Sequence, residues 1–280
     1  MSVSDGNELY ELTEKGLAFR RELLRQMKPS HIHGWDWSVP EFAEALEWLK
    51  GHPHVVRRSV FLSDSPGKEV WQLTVPEHYG GKKVVFKSYL RPTGMMKIFE
   101  LSPACVEACN YAVLSGIGIA SAKVLACGES RSWGSVTTSF IVTEYLPDTI
   151  DGSALMPGGF LWDDQEMRMT FARNALDLLA VAHRCRFFHR AFHPHKILIA
   201  KDGTEDKQQL TLIDVASGGL KRHGNVKRDI VKDLYTLFTD LRLSSDEIKR
   251  LCQHYLQENP EANAKFDVQS LWKALCRFEP

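Results

Sequence analysis

Between Phe187 and Ile199 the chain reads FFHRAFHPHKILI, and the apolar run LTLIDVASG follows at Leu210 to Gly218. Phosphoryl transfer uses this layout: His-Arg-Asp, four variable residues, an Asn and an apolar strand, then a second strand that runs into Asp-Phe-Gly. His189, Arg190 and Asp214 stand in register with it, whereas Ala191 takes the place of the first Asp and Lys196 that of the Asn. Moving a phosphoryl group needs little covalent work and much positioning: a cation on the phosphates, a carboxylate for a metal, and a base for the attacking hydroxyl. Lys87, in VVFKSYL, offers the first, with Glu107 about twenty residues further on to pair with it; Asp214 offers the second. The third is lost at Ala191, because a methyl group neither accepts a proton nor orients a hydroxyl. His193 is the substitute base this loop supplies, since a neutral imidazole suits the task near pH 7.

Lys196 changes the electrostatics of the same loop. A cation there repels Mg²⁺ but attracts phosphate, and so takes over part of the charge a second metal ion would bring. The histidines allow another chemistry. His189, His193 and His195 alternate along the chain and could converge on a metal, although His189 is accounted for as the structural histidine of the loop. Upstream, Glu144-Tyr145-Leu146 leaves the strand SFIVT as an adenine-binding edge would, with backbone groups of Glu144 and Leu146 to pair with a base. A plain strand end reads the same way, and an isolated strand lysine is ordinarily a solvated one. The order of strand lysine, helix glutamate, edge segment, loop and Asp turn joins them into one reading.

These residues need particular elements to hold them. Apolar residues recur at helical spacing from Glu8 to about Met27 (Leu9, Leu12, Leu17, Leu23, Leu24), and a second amphipathic pattern runs from Pro40 to Lys50 after the turn-like HIHGWDW. Val55 to Leu62, Val70 to Val75 and Lys83 to Tyr89 are β-rich runs separated by SDSPGK and PEHYGG, predicting an antiparallel meander. A helix over Ala104 to Leu114 starts at Ser102-Pro103 and stops at Gly116 and Gly118. Ser121 to Cys127 and Thr137 to Tyr145 form a strand pair around ESRSWG, and Pro147 to Gly159 has the composition of a linker. Beyond it the pattern is mostly helical, over Asp164 to Arg184, Val226 to Leu241, Ser245 to Gln257 and Val268 to Phe278.

In this order the segments resemble the lipopolysaccharide core kinases of Gram-negative bacteria, the heptose and Kdo kinases, which share the kinase-like fold. The features that carry the resemblance, over Val55 to Leu256, are VVFKSYL, the helix around Val106 to Leu114 followed by SAKVLACGE, the long helix leading into FFHRAFHPHKILI, LTLIDVAS, and VKRDIVKDLYTLF, similar to the family's R-D-L helix. The resemblance implies an α+β, two-lobed protein-kinase-like fold with an antiparallel N-lobe at 55–147, a helical C-lobe at 148–280 and an N-terminal helical extension at 1–54. It further implies that Lys87 contacts the phosphates of ATP, that Glu107 orients Lys87, that Asp214 holds Mg²⁺, and that Arg228 and Asp229 lie on the helix bracing the loop. The acceptor implied is a sugar hydroxyl on a lipopolysaccharide precursor at the cytoplasmic face of the inner membrane. The rival expectation follows from Ala191 and Lys196: a pseudokinase that senses nucleotide or serves as a scaffold for a protein partner.

Composition narrows the alternatives. The 280 residues carry 35 basic and 35 acidic side chains with 44% hydrophobic content, enough for a sizeable core and without the basic excess of a nucleic-acid binder. The start, MSVSDGNELYELTEKG, is polar and acidic where a secretory signal is basic then apolar, and no run reaches the length of a membrane span, which predicts a cytoplasmic protein at most peripheral at the membrane. The six cysteines form no C-x-x-C pair and are expected as buried free thiols; Cys105 and Cys109, one helical turn apart, pack in the core rather than clamp a metal. His31, His33, His52 and His54 form a loose cluster that reads as surface or capping residues, and Lys221, Arg222, Lys227 and Arg228 with HIHGWDW suggest a membrane-surface or glycolipid-facing patch, against which ordinary solvated charge is the plainer reading.

Overall fold

The computed structural model describes residues 3–30, 32–57, 60–65, 67–90, 100–201, 209–221 and 226–278. By their internal contacts they divide into two compact units, Ala18–Val113 with Ala122–Pro147, and Met1–Leu17 with Leu114–Ser121 and Asp148–Pro280. The elements in chain order are α1 (Val3–Met27), β1 (Trp35–Ser38), α2 (Ala43–Gly51), α3 (Pro53–Arg57), β2 (Val60–Ser65), β3 (Lys68–Thr74), β4 (Lys83–Tyr89), α4 (Pro103–Gly116), β5 (Val124–Ser132) and β6 (Ser135–Glu144). There follow β7 (Thr149–Asp151), α5 (Gln165–Arg184), β8 (Phe187–Phe188), β9 (Ile197–Ala200), β10 (Leu210–Leu212), β11 (Gly219–Leu220), α6 (Val226–Asp240), α7 (Ser245–Glu258), α8 (Pro260–Asn263) and α9 (Val268–Cys276). The α+β class expected from the sequence is the class observed, with the antiparallel sheet in the first half and most of the helices in the second.

The first unit is built on a six-stranded antiparallel sheet in the order β1-β5-β6-β4-β3-β2. Its meander β2-β3-β4 follows the predicted runs with two shifts: Val55, Val56 and Arg57 belong to the short helix α3 rather than to the first strand, and β2 and β3 run into the predicted turn SDSPGK as far as Ser65 and from Lys68. Alternation explains the packing: Trp71, Leu73, Val84 and Val142 are buried in one cluster with Phe42, Leu46 and Leu49 of the α2 region. Two expectations change. The last three residues of the turn-like HIHGWDW, Trp35 to Trp37, form β1 together with Ser38, paired with β5 from Trp35↔Glu129 to Ser38↔Ala126. The turn in ESRSWG is only Trp133-Gly134, both with positive φ (51° and 75°), the backbone a two-residue hairpin needs, so Glu129 to Ser132 extend β5.

In the second unit capping chemistry sets the helix starts. Asp164 caps α5, and Ser244 with Glu247, then Asp267 with Ser270, close reciprocal capping boxes on α7 and α9. The linker predicted at Pro147 to Gly159 instead contains β7, which pairs antiparallel with β9, and then a 3₁₀ turn over Gly152–Leu155. Gly152 sits there because a Cβ at this position would meet the Pro194 carbonyl at 2.5 Å, so the turn and the His189–Lys196 loop approach as closely as backbone allows. Among the described residues no helix is long and apolar enough to cross a membrane. Five of the six cysteines are buried free thiols, Cys105 and Cys109 among them, but Cys276 is exposed, because α9 turns that position to solvent after Leu275 enters the core.

Candidate functional site

The sheet unit holds an ion pair whose burial sets it apart from ordinary strand lysines. Lys87 projects from β4 and Glu107 from the second turn of α4, with Nζ to Oε1 at 2.9 Å and side chains only 8% and 2% exposed. Tyr89, two residues along the strand and therefore on the same face, donates its hydroxyl to Glu107 Oε2 at 2.5 Å, and the Lys87 ammonium lies 5.3 Å from the Tyr89 ring centre. Both carboxylate oxygens of Glu107 are thus held, the hydrogen bonding that offsets the desolvation of a buried ion pair. At the end of β6, Glu144 is committed more fully than a base-pairing edge would be. Its N–H donates to the Lys123 carbonyl at 3.0 Å and its carboxylate accepts the Lys123 N–H at 2.9 Å. Leu146 follows, partly buried.

In the helical unit the loop after β8 is bent sharply. Arg190 and Asp214 both have left-handed backbone, φ 60° and 53°, a conformation that costs a non-glycine residue on the order of 1–3 kcal/mol and tends to be retained at functional sites. The loop is pinned by hydrogen bonds from His193 N to Ala191 O (2.9 Å), Lys196 N to His193 O (3.0 Å) and Ile213 N to Lys196 O (2.9 Å). The last of these brings the two predicted metal-side residues together: Lys196, itself buried, places Nζ 3.1 Å from Asp214 Oδ2.

Asp233, four residues after Asp229 on α6 and fully buried, accepts the backbone N–H of His189 at 2.9 Å and lies 3.2 Å from His183 Nε2, whose Nδ1 reaches the Tyr255 hydroxyl at 2.8 Å. The bracing helix is therefore the one expected, but its fully buried carboxylate, on the His189 N–H, is Asp233; Asp229, partly buried, pairs with Lys221 (2.5 Å) and with Arg190 of the loop (3.8 Å). The R-D-I and K-D-L steps of VKRDIVKDLYTLF put two aspartates one helical turn apart, and burial alone distinguishes them.

The three histidines do not converge. His189 is 1% exposed, packs edge-on to Phe192 at 5.6 Å, and neither ring nitrogen has a hydrogen-bond partner among the described residues. Burial therefore lowers its pKa from 6.5 to about 4, with the nearby Lys196 charge acting in the same direction. The folded chain binds this proton more weakly than the unfolded one, so the contribution is complete above pH 6.5 and lost as pH falls toward about 4. The expected loss is about 3 kcal/mol of unfolding free energy across that window. Denaturant titrations of His189→Leu should lack that part of the acid limb; superimposable limbs would rule the assignment out.

His193 lies elsewhere, with Nδ1 2.7 Å from Oδ2 of Asp240, the last residue of α6. A carboxylate only accepts, so the ring proton sits on Nδ1 and the Nε2 lone pair is left for another proton. Asp240 has no motif to reveal it, since the pairing spans 47 positions of sequence. Farther away, His52 closes α2 through its N–H to Leu49 O and stacks on Trp48, which is the capping role read from the sequence.

A family model described as "Lipopolysaccharide kinase (Kdo/WaaP) family" matches residues 81–255. A solved structure titled "WaaP in complex with acyl carrier protein" is similar at 18% identity and a TM-score of 0.64, covering 86% of this chain and 96% of that one, which establishes the shared kinase-like fold. Among curated proteins none matches.

Proposed function

Because this chain belongs to the lipopolysaccharide kinase (Kdo/WaaP) family, we propose that it transfers a phosphoryl group from ATP to a sugar hydroxyl of a lipopolysaccharide precursor, with His193 replacing the aspartate missing at Ala191. The observation that carries this reading is the 2.7 Å contact between His193 and Asp240. A base needs a lone pair and a partner to hold its tautomer, and this pair has both on the loop that lacks the aspartate. His193 takes the proton from the acceptor hydroxyl at Nε2 while Asp240 steadies the imidazolium through Nδ1.

The remaining roles are assigned from the surroundings of each residue. Lys87, oriented by Glu107, carries the positive charge for the phosphates of ATP. Asp214 suits one Mg²⁺, an ion commonly held by one or two carboxylates with phosphate and water completing its shell. Bound there, Mg²⁺ would neutralise charge developing on the transferred group. Lys196, already 3.1 Å from Asp214, supplies an ammonium in place of a second ion, so one ion rather than two is the expected load. Glu144 and Leu146 remain the segment assigned to the adenine, through groups other than the engaged Glu144 N–H. The protein would work in the cytoplasm, peripherally at the inner membrane.

The test is transfer of label from γ-labelled ATP to a lipopolysaccharide precursor by the purified chain. Turnover in the unaltered protein that is abolished in Lys87→Ala is the expected result. ATP binding with no transfer would overturn it and make the protein a nucleotide-sensing pseudokinase.

A further inference from the structure

We infer that His193, His195 and Asp240 form a site for one divalent transition-metal ion of the zinc class, and that filling it withdraws His193 from proton transfer. One ligand atom from each of the three lies within 4.8 Å of the other two. The two imidazoles are held in register by the 3₁₀ turn Pro194–Lys196, with ring centres 4.9 Å apart and planes 16° from parallel. Bond lengths of about 2.0–2.2 Å to imidazole and carboxylate ask for a modest closing of this triangle. His195 is exposed, so its ring can make that adjustment.

Charge and ligand type select the cation. Asp240 closes α6, where the helix dipole already concentrates negative charge, and among the described residues its carboxylate forms an ion pair with His193 but with no lysine or arginine. A cation is therefore favoured there on two counts. Two imidazoles and one carboxylate suit zinc, cobalt or nickel better than magnesium or calcium, which favour all-oxygen shells. The nearby Lys196 ammonium is turned to Asp214, 3.1 Å away, which blunts its repulsion of a metal.

Metal binding stands on this geometry alone; inhibition rests in addition on the proposed role of His193 as base. Binding is measured first, without nucleotide, from the visible absorption of Co²⁺ added to the full chain and its displacement by Zn²⁺. One equivalent should bind, and His195→Ala or Asp240→Asn should weaken binding by about 100-fold or more. No stoichiometric binding, or binding unchanged in both variants, overturns the site. Turnover is measured second. Zn²⁺ should inhibit the unaltered protein but not His195→Ala, whose metal-free rate is unchanged. Stoichiometric binding without inhibition would overturn the link to His193 and leave the metal site standing.

Discussion

Glu107→Ala should destabilise the protein by about 3–5 kcal/mol, the range for removing one partner of a buried ion pair and stranding the other charge. The group that loses its carboxylate is the Lys87 ammonium, 8% exposed, and Tyr89 loses the acceptor of its 2.5 Å hydrogen bond in the same step. The double variant Lys87→Met with Glu107→Leu should cost much less, because two charges that each needed the other are replaced by apolar side chains of similar size. Urea denaturation of the unaltered protein, Lys87→Met, Glu107→Leu and the double variant closes the cycle, and a coupling of about 1–3 kcal/mol is expected between the two positions. Simple additivity would mean that Lys87 finds water or another anion when Glu107 is gone. The double variant also separates the two roles of the pair: it should be folded and unable to bind ATP. An apolar pair would serve the core as well, so the buried ammonium is better explained by a phosphate to be bound than by stability.

The same pair shows which parts of this molecule can be read along the chain. Lys87 and Glu107 were recoverable because each lies in an element with a strong local signature, an alternating strand and a helix opened by Ser102-Pro103, and because their order is informative. Tyr89 was missed although the signal was there, since a residue two positions from Lys87 on a strand must share its face. The missed strands are of another kind. β1 and β7 are four and three residues long, and each exists only through a distant partner, β5 and β9 respectively. The Pro, Gly and Asp content around β7 truthfully reports a bend, but it carries no information about a strand crossing to β9. The positions of Asp233 and Asp240 also depend on how α6 packs. An amphipathic helix announces its apolar face, not which of its aspartates is carried inward to the His189 N–H or at its end to His193.

His193→Ala should lower phosphoryl transfer by about 10²–10⁴-fold, the usual contribution of a positioned general base, with ATP affinity little changed because the ring is assigned to the acceptor hydroxyl and not to the phosphates. Asp240→Asn should give a smaller loss. It keeps the imidazole but replaces the carboxylate that stabilises the protonated ring and selects the Nδ1–H tautomer at 2.7 Å. The decisive comparison restores the missing aspartate: Ala191→Asp placed in the His193→Ala background should recover most of the lost rate. His193 N donates to Ala191 O at 2.9 Å, so the two positions belong to one tight turn, and a carboxylate at 191 can take over a proton that His193 no longer accepts. Full activity in His193→Ala would sink the base assignment outright. Loss in His193→Ala that Ala191→Asp fails to repair would show that His193 is needed for the shape of the loop rather than for its lone pair, and the proton would have to leave by another route.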